Sequence, residues 1–294
     1  MPQHFADRLA ARVLAADSRV CVGLDPRPDL LPPHLAGTAD ITAAVVEFCA
    51  GIIDATAEFA ACVKPQAAYF EALAPNGLSA LWEVVACANA AGIPVIFDAK
   101  RNDIGSTACA YAAACFGLHH QRAVARADAV TVNPYLGSDG VRPFLKASLE
   151  TCGGVFVLVK TSNPSSGELQ DLDTPDGHVY EVMARLVNGW GRAYGGLGSC
   201  GYSSVGAVVG ATYPEQLADL RGIMPTSILL VPGYGAQGAG ADDVAAAFDE
   251  NGLGAVVNSS RAILYAYRET HTDYKSAAAD AARMMRDEIN SMLR

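Results

Sequence analysis

Eight short apolar runs, each closed by polar or turn-forming residues, recur along the chain: RVCVGLD (19–25), ACVKPQ (61–66), PVIFDAK (94–100), DAVTVNP (128–134), GVFVLVK (154–160), VGAVVGA (205–211), ILLVPG (228–233) and GAVVNSS (254–260). They are rich in β-branched residues and nearly continuous in apolar character, as parallel strands covered on both faces should be. Helical patterning fills the intervals at 39–58, 78–91, 106–126, 139–150, 176–193, 214–221 and 241–250, and a terminal helix is expected over 273–293. Start signals support several of these: Thr38 and Asp40 before the first, Ser79 near the second, Ser138 and Asp139 before the fourth. Eight strands alternating with helices predict an α/β fold of the closed (β/α)8 barrel type. An open doubly wound sheet is the alternative, disfavoured because no GxGxxG follows the first strand.

Length and composition narrow the picture. The chain has 294 residues, and one such barrel commonly takes about 250. No low-complexity linker divides it, so a single domain is expected over 1–294, with helices at both ends. The glycine-dense GWGRAYGGLGSCGYSS (189–204) is expected to be a mobile loop before the sixth strand. With 51% hydrophobic and 18% charged residues, the chain can bury a sizeable core. A formal charge of −10 argues against a nucleic-acid groove and against attraction to anionic membranes. A small anionic substrate would then need a few cations placed locally.

Eight cysteines lie at 21, 49, 62, 87, 109, 115, 152 and 200, without a CxxC pair, and read as small buried hydrophobes. MPQHFADRLAARVLAAD has acidic residues and helical periodicity where a secretory signal would have a basic flank and an apolar run. No stretch approaches the roughly 18 apolar residues of a membrane span. A reducing cytoplasm is the expected location.

Barrel enzymes carry their chemistry at the C-terminal ends of the strands. Here those ends supply Asp25, Lys64, Asp98 with Lys100, Asn133, Lys160 to Ser162, Pro232 to Gln237, and Ser260 with Arg261. For any one of these, a solvated polar residue after a strand is an equally good explanation. VIFDAKRNDIGSTA (95–108) is different, because charges stand at 98, 100 and 103 at the end of a buried strand. Asp98 and Lys100 leave the same face of the strand, and burial of such charges requires pairing. A structural salt bridge explains that pair and leaves Asp103 without a reason. An Asp–Lys–Asp array keeps an ammonium charged and positioned beside concentrated negative potential, which suits expelling a carboxylate and then delivering a proton. The loop after 231 has its own logic. Glycines at 233, 235, 238 and 240 let the backbone approach an anion, and Arg261 adds a bidentate fork, so this end of the barrel is a candidate phosphate site. A flexible glycine turn is the plainer alternative. His119 and His120 are adjacent on a helical stretch and point apart, so they form no shared metal site.

DxKxxD after the third strand resembles the motif of the orotidine monophosphate decarboxylase suprafamily. Alone it also fits the magnesium-dependent sugar-phosphate decarboxylases and synthases of that group. Further motifs follow in order over roughly 20–265: VGLDP (22–26), VKPQAAYFE (63–71), KTSNPSSGELQ (160–170), VPGYGAQG (231–238) and Arg261. DAKRNDIGSTA is similar to the longer bacterial branch of the decarboxylases. The resemblance implies conversion of orotidine 5′-phosphate to uridine 5′-phosphate and carbon dioxide, with no metal or organic cofactor. It implies that Lys100 acts on the reacting carbon, flanked by Asp98, Asp103 and Lys64. It also implies that Asp25 contacts ribose, that Ser162 reads the base edge and that Pro232 lies against the base. Gly233, Gln237, Ser260 and Arg261 would then surround phosphate. Ser260 stands where many members have glycine. Finally, it implies a homodimer whose sites are shared, with Asp103, Ile104 and Thr107 reaching the neighbour's site. A non-catalytic nucleotide-binding barrel is the remaining alternative.

Overall fold

The computed structural model describes residues 3–118, 125–235 and 240–294. Eight parallel strands form one sheet: β1 (Val20–Leu24), β2 (Cys62–Pro65), β3 (Ile96–Arg101), β4 (Ala129–Val132), β5 (Gly154–Lys160), β6 (Ser203–Val209), β7 (Ser227–Pro232) and β8 (Ala255–Ser259). Neighbours run in the order β2-β1-β8-β7-β6-β5-β4-β3. The two ends of that order, β2 and β3, meet through two isolated parallel bridges, Val63 with Val95 and Gln66 with Asp98. That contact closes the cylinder. β1, β6 and β8 are buried at every residue, which explains their uninterrupted apolar runs.

The helix Phe5–Ala16 plugs the N-terminal end of the barrel. Its Phe5, Leu9 and Val13 join Ile96, Ala129, Phe156, Ile228 and Val256 of the strands in the inner core. Phe5 meets Phe156 edge to face at 6.0 Å. Gly154 is required there, because a Cβ would stand 2.3 Å from the Phe5 ring. Outside the cylinder, the terminal helix Tyr274–Leu293 packs on Ile41–Thr56. Asp40 caps the latter by accepting from the backbone N–H groups of Thr42 and Ala43, both at 3.0 Å.

Several expectations are corrected. The glycine-dense 189–204 segment is not a mobile loop. It continues the helix Val179–Trp190 as a π-helical turn, Gly191–Gly195, and is tied to the N-terminal helix. His4 Nε2 lies 2.8 Å from the Gly195 carbonyl, and the Cys200 N–H donates to Asp7 at 2.8 Å. Because it precedes a strand, it lies at the plugged end, away from the mouth. The helix expected over 106–126 spans Gly105–Phe116, ended by Gly117 at φ +68°. That expected over 241–250 is one α-turn, Ala241–Val244, and a 3₁₀ turn, Ala245–Ala247. Of the cysteines, only Cys21, Cys49, Cys62 and Cys115 are buried, and Cys109 is exposed. His119 and His120 lie outside the described residues. Among those described, no helix is long and apolar enough to cross a membrane.

Candidate active site

The mouth is built around one buried carboxylate. Asp98, 4% exposed, accepts four hydrogen bonds. Its Oδ2 takes Lys64 Nζ at 2.6 Å and Gln66 Nε2 at 2.9 Å, and its Oδ1 takes Lys100 Nζ at 2.6 Å and Thr131 Oγ1 at 2.9 Å. Burial alone would raise the Asp98 pKa, but the charges of Lys64 and then Lys100 hold it well below the ordinary carboxylate range. Burial likewise disfavours the Lys64 ammonium, and Asp98 followed by Asp25 more than compensates, raising its pKa. Lys64 is as buried as Asp98, whereas the Lys100 side chain is 45% exposed. Lys100 is therefore the more exposed of the two lysines that line the cavity.

These shifts set a pH dependence. A depressed carboxylate pKa gives stability that is complete above the unfolded value near 4 and drains as pH falls toward the folded one. Lys64, with its pKa raised, contributes fully below about 10 and loses that contribution only at higher pH. Asp98→Asn should therefore cost about 3–5 kcal/mol at pH 7, since it strands Lys64. The penalty should shrink by roughly 1.4 kcal/mol per pH unit below about 4. Urea unfolding of both proteins from pH 7 to pH 2.5 measures this, and a penalty independent of pH would refute it.

A cavity of about 570 Å³ opens above the network, lined by Lys64, Asp98, Lys100, Ser162 and Pro232 among others. Leu158, Val208 and Leu230 add apolar lining, and Thr161, Asn163 and Gln170 add polar groups. The β5 loop is pinned at its base. The Thr161 N–H donates to Gln170 Oε1 at 2.9 Å, and Gln170 Nε2 donates to Thr161 Oγ1 at 2.7 Å. Gly210 permits the approach of Ser162, whose Cβ would lie 2.8 Å from any Cβ placed there. Lys160, in contrast, turns away from the cavity. It is paired with Asp171 and lies 5.4 and 5.2 Å from the ring centroids of Tyr180 and Tyr213.

Asp25 follows β1 close enough to act on Lys64, and its Oδ1 is buried with no hydrogen-bond partner among the described residues. Its backbone is fixed by Tyr265, whose hydroxyl donates to the Asp25 carbonyl at 3.0 Å and accepts from the Arg27 N–H at 2.8 Å. Gly233 and Gly235 adopt φ +105° and +72°, conformations that favour glycine. Arg261 is exposed and lines a neighbouring cleft with Gly235, Arg27 and Arg268. Ser260 Oγ occupies the space over Gly23, where a Cβ would come within 1.9 Å. Gln237 and Gly238 lie outside the described residues.

Asp103 does not join the network of its own chain. Its Oδ1 accepts from the Ile104 N–H at 2.8 Å, while Ile104 and Thr107 are exposed beside it. The sequence reading missed Gln66 and Thr131 as partners of Asp98. Their signal was a polar side chain at an alternate position of an otherwise apolar run, two residues after Lys64 and two before Asn133.

A family model described as "Orotidine 5'-phosphate decarboxylase / HUMPS family" matches residues 18–275. The chain belongs to the orotidine 5′-phosphate decarboxylase family. It is 49% identical to the orotidine 5′-phosphate decarboxylase of Rhodopirellula baltica and 45% identical to that of Deinococcus radiodurans, with 99% or more of each chain covered. Among solved structures it resembles the OMP decarboxylase of Leishmania donovani, at 36% identity and a TM-score of 0.79 over 99% of both chains. It also matches the UMP synthase of that organism, at 38% identity and a TM-score of 0.81, covering 99% of this chain and 57% of the other. The family expected from the motifs and the barrel expected from the alternation of strands and helices are thus borne out.

Proposed function

We propose that the chain decarboxylates orotidine 5′-phosphate to uridine 5′-phosphate, with Lys100 as the group that acts on the reacting carbon. The observation that carries this reading is the half-exposed Lys100 ammonium, held by a buried, ionised Asp98 at the floor of a largely apolar cavity. Loss of carbon dioxide from C6 of the pyrimidine leaves an electron pair that the ring carbonyls do not delocalise, so electrostatic stabilisation must lower the barrier. Lys100 Nζ supplies a fixed positive charge to that carbon and then transfers a proton to it. Asp98 and Lys64 hold the ammonium in place. Ser162 reads the base edge, Pro232 lies against the ring, and the unpartnered Asp25 oxygen accepts from a ribose hydroxyl. Gly233, Gln237, Ser260 and Arg261 receive the phosphate, whose binding energy helps to organise the reacting end.

The site is completed by a second copy of the chain, whose Asp103, Ile104 and Thr107 reach the mouth. Support comes from the exposure of Ile104 at 56% and Leu136 at 45%, close to an Asp103 that, among the described residues, makes no hydrogen bond or ion pair with its own Lys100. Two apolar side chains left in water beside a carboxylate outside the charge network fit a surface that another chain covers.

Turnover of orotidine 5′-phosphate, followed by its ultraviolet absorbance in the presence of EDTA, tests the reading. Activity lost in EDTA would favour magnesium-dependent sugar-phosphate chemistry, and binding without turnover would favour a nucleotide-sensing barrel. Arg261→Ala should raise KM strongly, because a charge-assisted phosphate contact contributes about 1.5–3 kcal/mol. The defect should shrink for orotidine lacking phosphate. An equal proportional loss on both substrates would remove the phosphate role.

A further inference from the structure

Lys100 is held at both of its ends, and the link between them runs through a residue of β4. Its backbone lies at φ +46°, in the left-handed region that a lysine seldom adopts. The pairing of β3 with β4 slips between Phe97 and Arg101. The Lys100 N–H is thereby turned out of the strand ladder and donates to Thr131 Oγ1 at 3.0 Å. A hydroxyl that accepts there still has its own proton to place, and that proton goes to Asp98 Oδ1 at 2.9 Å. The same oxygen accepts from Lys100 Nζ at 2.6 Å. Backbone N–H, hydroxyl, carboxylate and ammonium thus form a closed ring that begins and ends on one lysine.

We propose that Thr131 is a positioning residue for the reaction, its hydroxyl setting where the Lys100 ammonium stands relative to the reacting carbon. The proposal rests on the assignment of Lys100 above. Thr131 is 1% exposed and its strand neighbours Ala129, Val130 and Val132 are apolar, so valine would serve the strand and the core equally well. What the hydroxyl adds is the ring. Its contribution persists after the chemical step, when the proton has moved from Nζ to carbon and the charge that drew the amine to Asp98 is gone. Thr131 donates to Asp98 whatever the protonation state of Lys100. It keeps the carboxylate and the lysine backbone in register while the amine regains a proton from solvent.

The test compares Thr131→Val, Thr131→Ser and Lys100→Ala for kcat and KM on orotidine 5′-phosphate, uridine 5′-phosphate affinity by calorimetry, and Tm. Thr131→Val should lower kcat roughly 10- to 100-fold, the scale on which small misplacements act, with KM and nucleotide affinity within about threefold of wild type. Thr131→Ser keeps the hydroxyl and should stay within about threefold in kcat. The opposite order, with serine damaging and valine silent, is the signature of methyl packing and overturns the proposal. So does a rise in KM that accounts for the whole defect. Should Thr131→Val not fold, Thr131→Cys, a weaker donor, takes its place, and a kcat equal to that of serine overturns the proposal. An inactive Lys100→Ala beside a fully active Thr131→Val sinks the proposal alone, whereas an active Lys100→Ala sinks the reading of Lys100 itself.

Discussion

Lys100→Ala should abolish decarboxylation, to below about a thousandth of wild-type turnover, while the fold and nucleotide binding survive. The size follows from two roles lost together. A fixed charge at a developing carbanion contributes about 3–4 kcal/mol, and positioned proton transfer contributes roughly 10²–10⁴-fold. Survival of the fold follows from the arrangement around Asp98, which keeps Lys64, Gln66 and Thr131 as donors when Lys100 is shortened. Lys64 and Thr131 are buried, whereas the Lys100 side chain is 45% exposed. The phosphate and base contacts proposed above belong to other loops, so uridine 5′-phosphate should bind within several-fold of wild type. Steady-state turnover, a calorimetric titration and a thermal melt measure the three parts. Retention of more than a tenth of the activity would remove Lys100 from the chemistry.

Mixing two dead proteins should restore activity. Lys100→Ala and Asp103→Ala each inactivate both sites of a homodimer if each site takes Lys100 from one chain and Asp103 from the other. In the mixed dimer one site receives both lesions and the other receives neither. At random equal exchange half of the dimers are mixed and each has one of two sites intact, so recovery should approach roughly a quarter of wild type. The geometry behind this is the turn of Asp103 toward its own Ile104 backbone, away from the charge network of its own barrel. No recovery, with subunit exchange confirmed by a tag, would place both residues in one chain's site.

The barrel was legible because burial on both faces leaves a strand no polar positions except at its end, and the eight runs showed that directly. The charge at 98, 100 and 103 was legible for the same reason, since polar residues stand out against such a background. The alternation argument placed Asp98 and Lys100 together, although the chain brings them there through a slipped ladder and a left-handed lysine. Thr131 and Gln66 went unread because a single polar residue inside an apolar strand has many explanations until its partner is known. Lys160 misled in the opposite sense, as a strand-end lysine that the fold spends on Asp171 and two tyrosine rings. The glycines at 189–204 were read as freedom, yet several make room for neighbours. A Cβ at Gly198 would lie 2.5 Å from Asp7, the carboxylate that holds the Cys200 backbone. Composition alone does not distinguish a glycine that moves from one that is crowded.

Every neighbouring pair of strands in the cylinder shares a ladder except β2 and β3, which meet at two bridges, one of them between Gln66 and Asp98. Across that seam Asp98 takes both Lys64 and Gln66. The carboxylate that holds Lys100 is therefore also the clasp of the barrel. Losing that aspartate would open the seam and strand Lys64 inside it. The seam thus gives the first aspartate of the DxKxxD motif a structural duty independent of any chemistry performed above it.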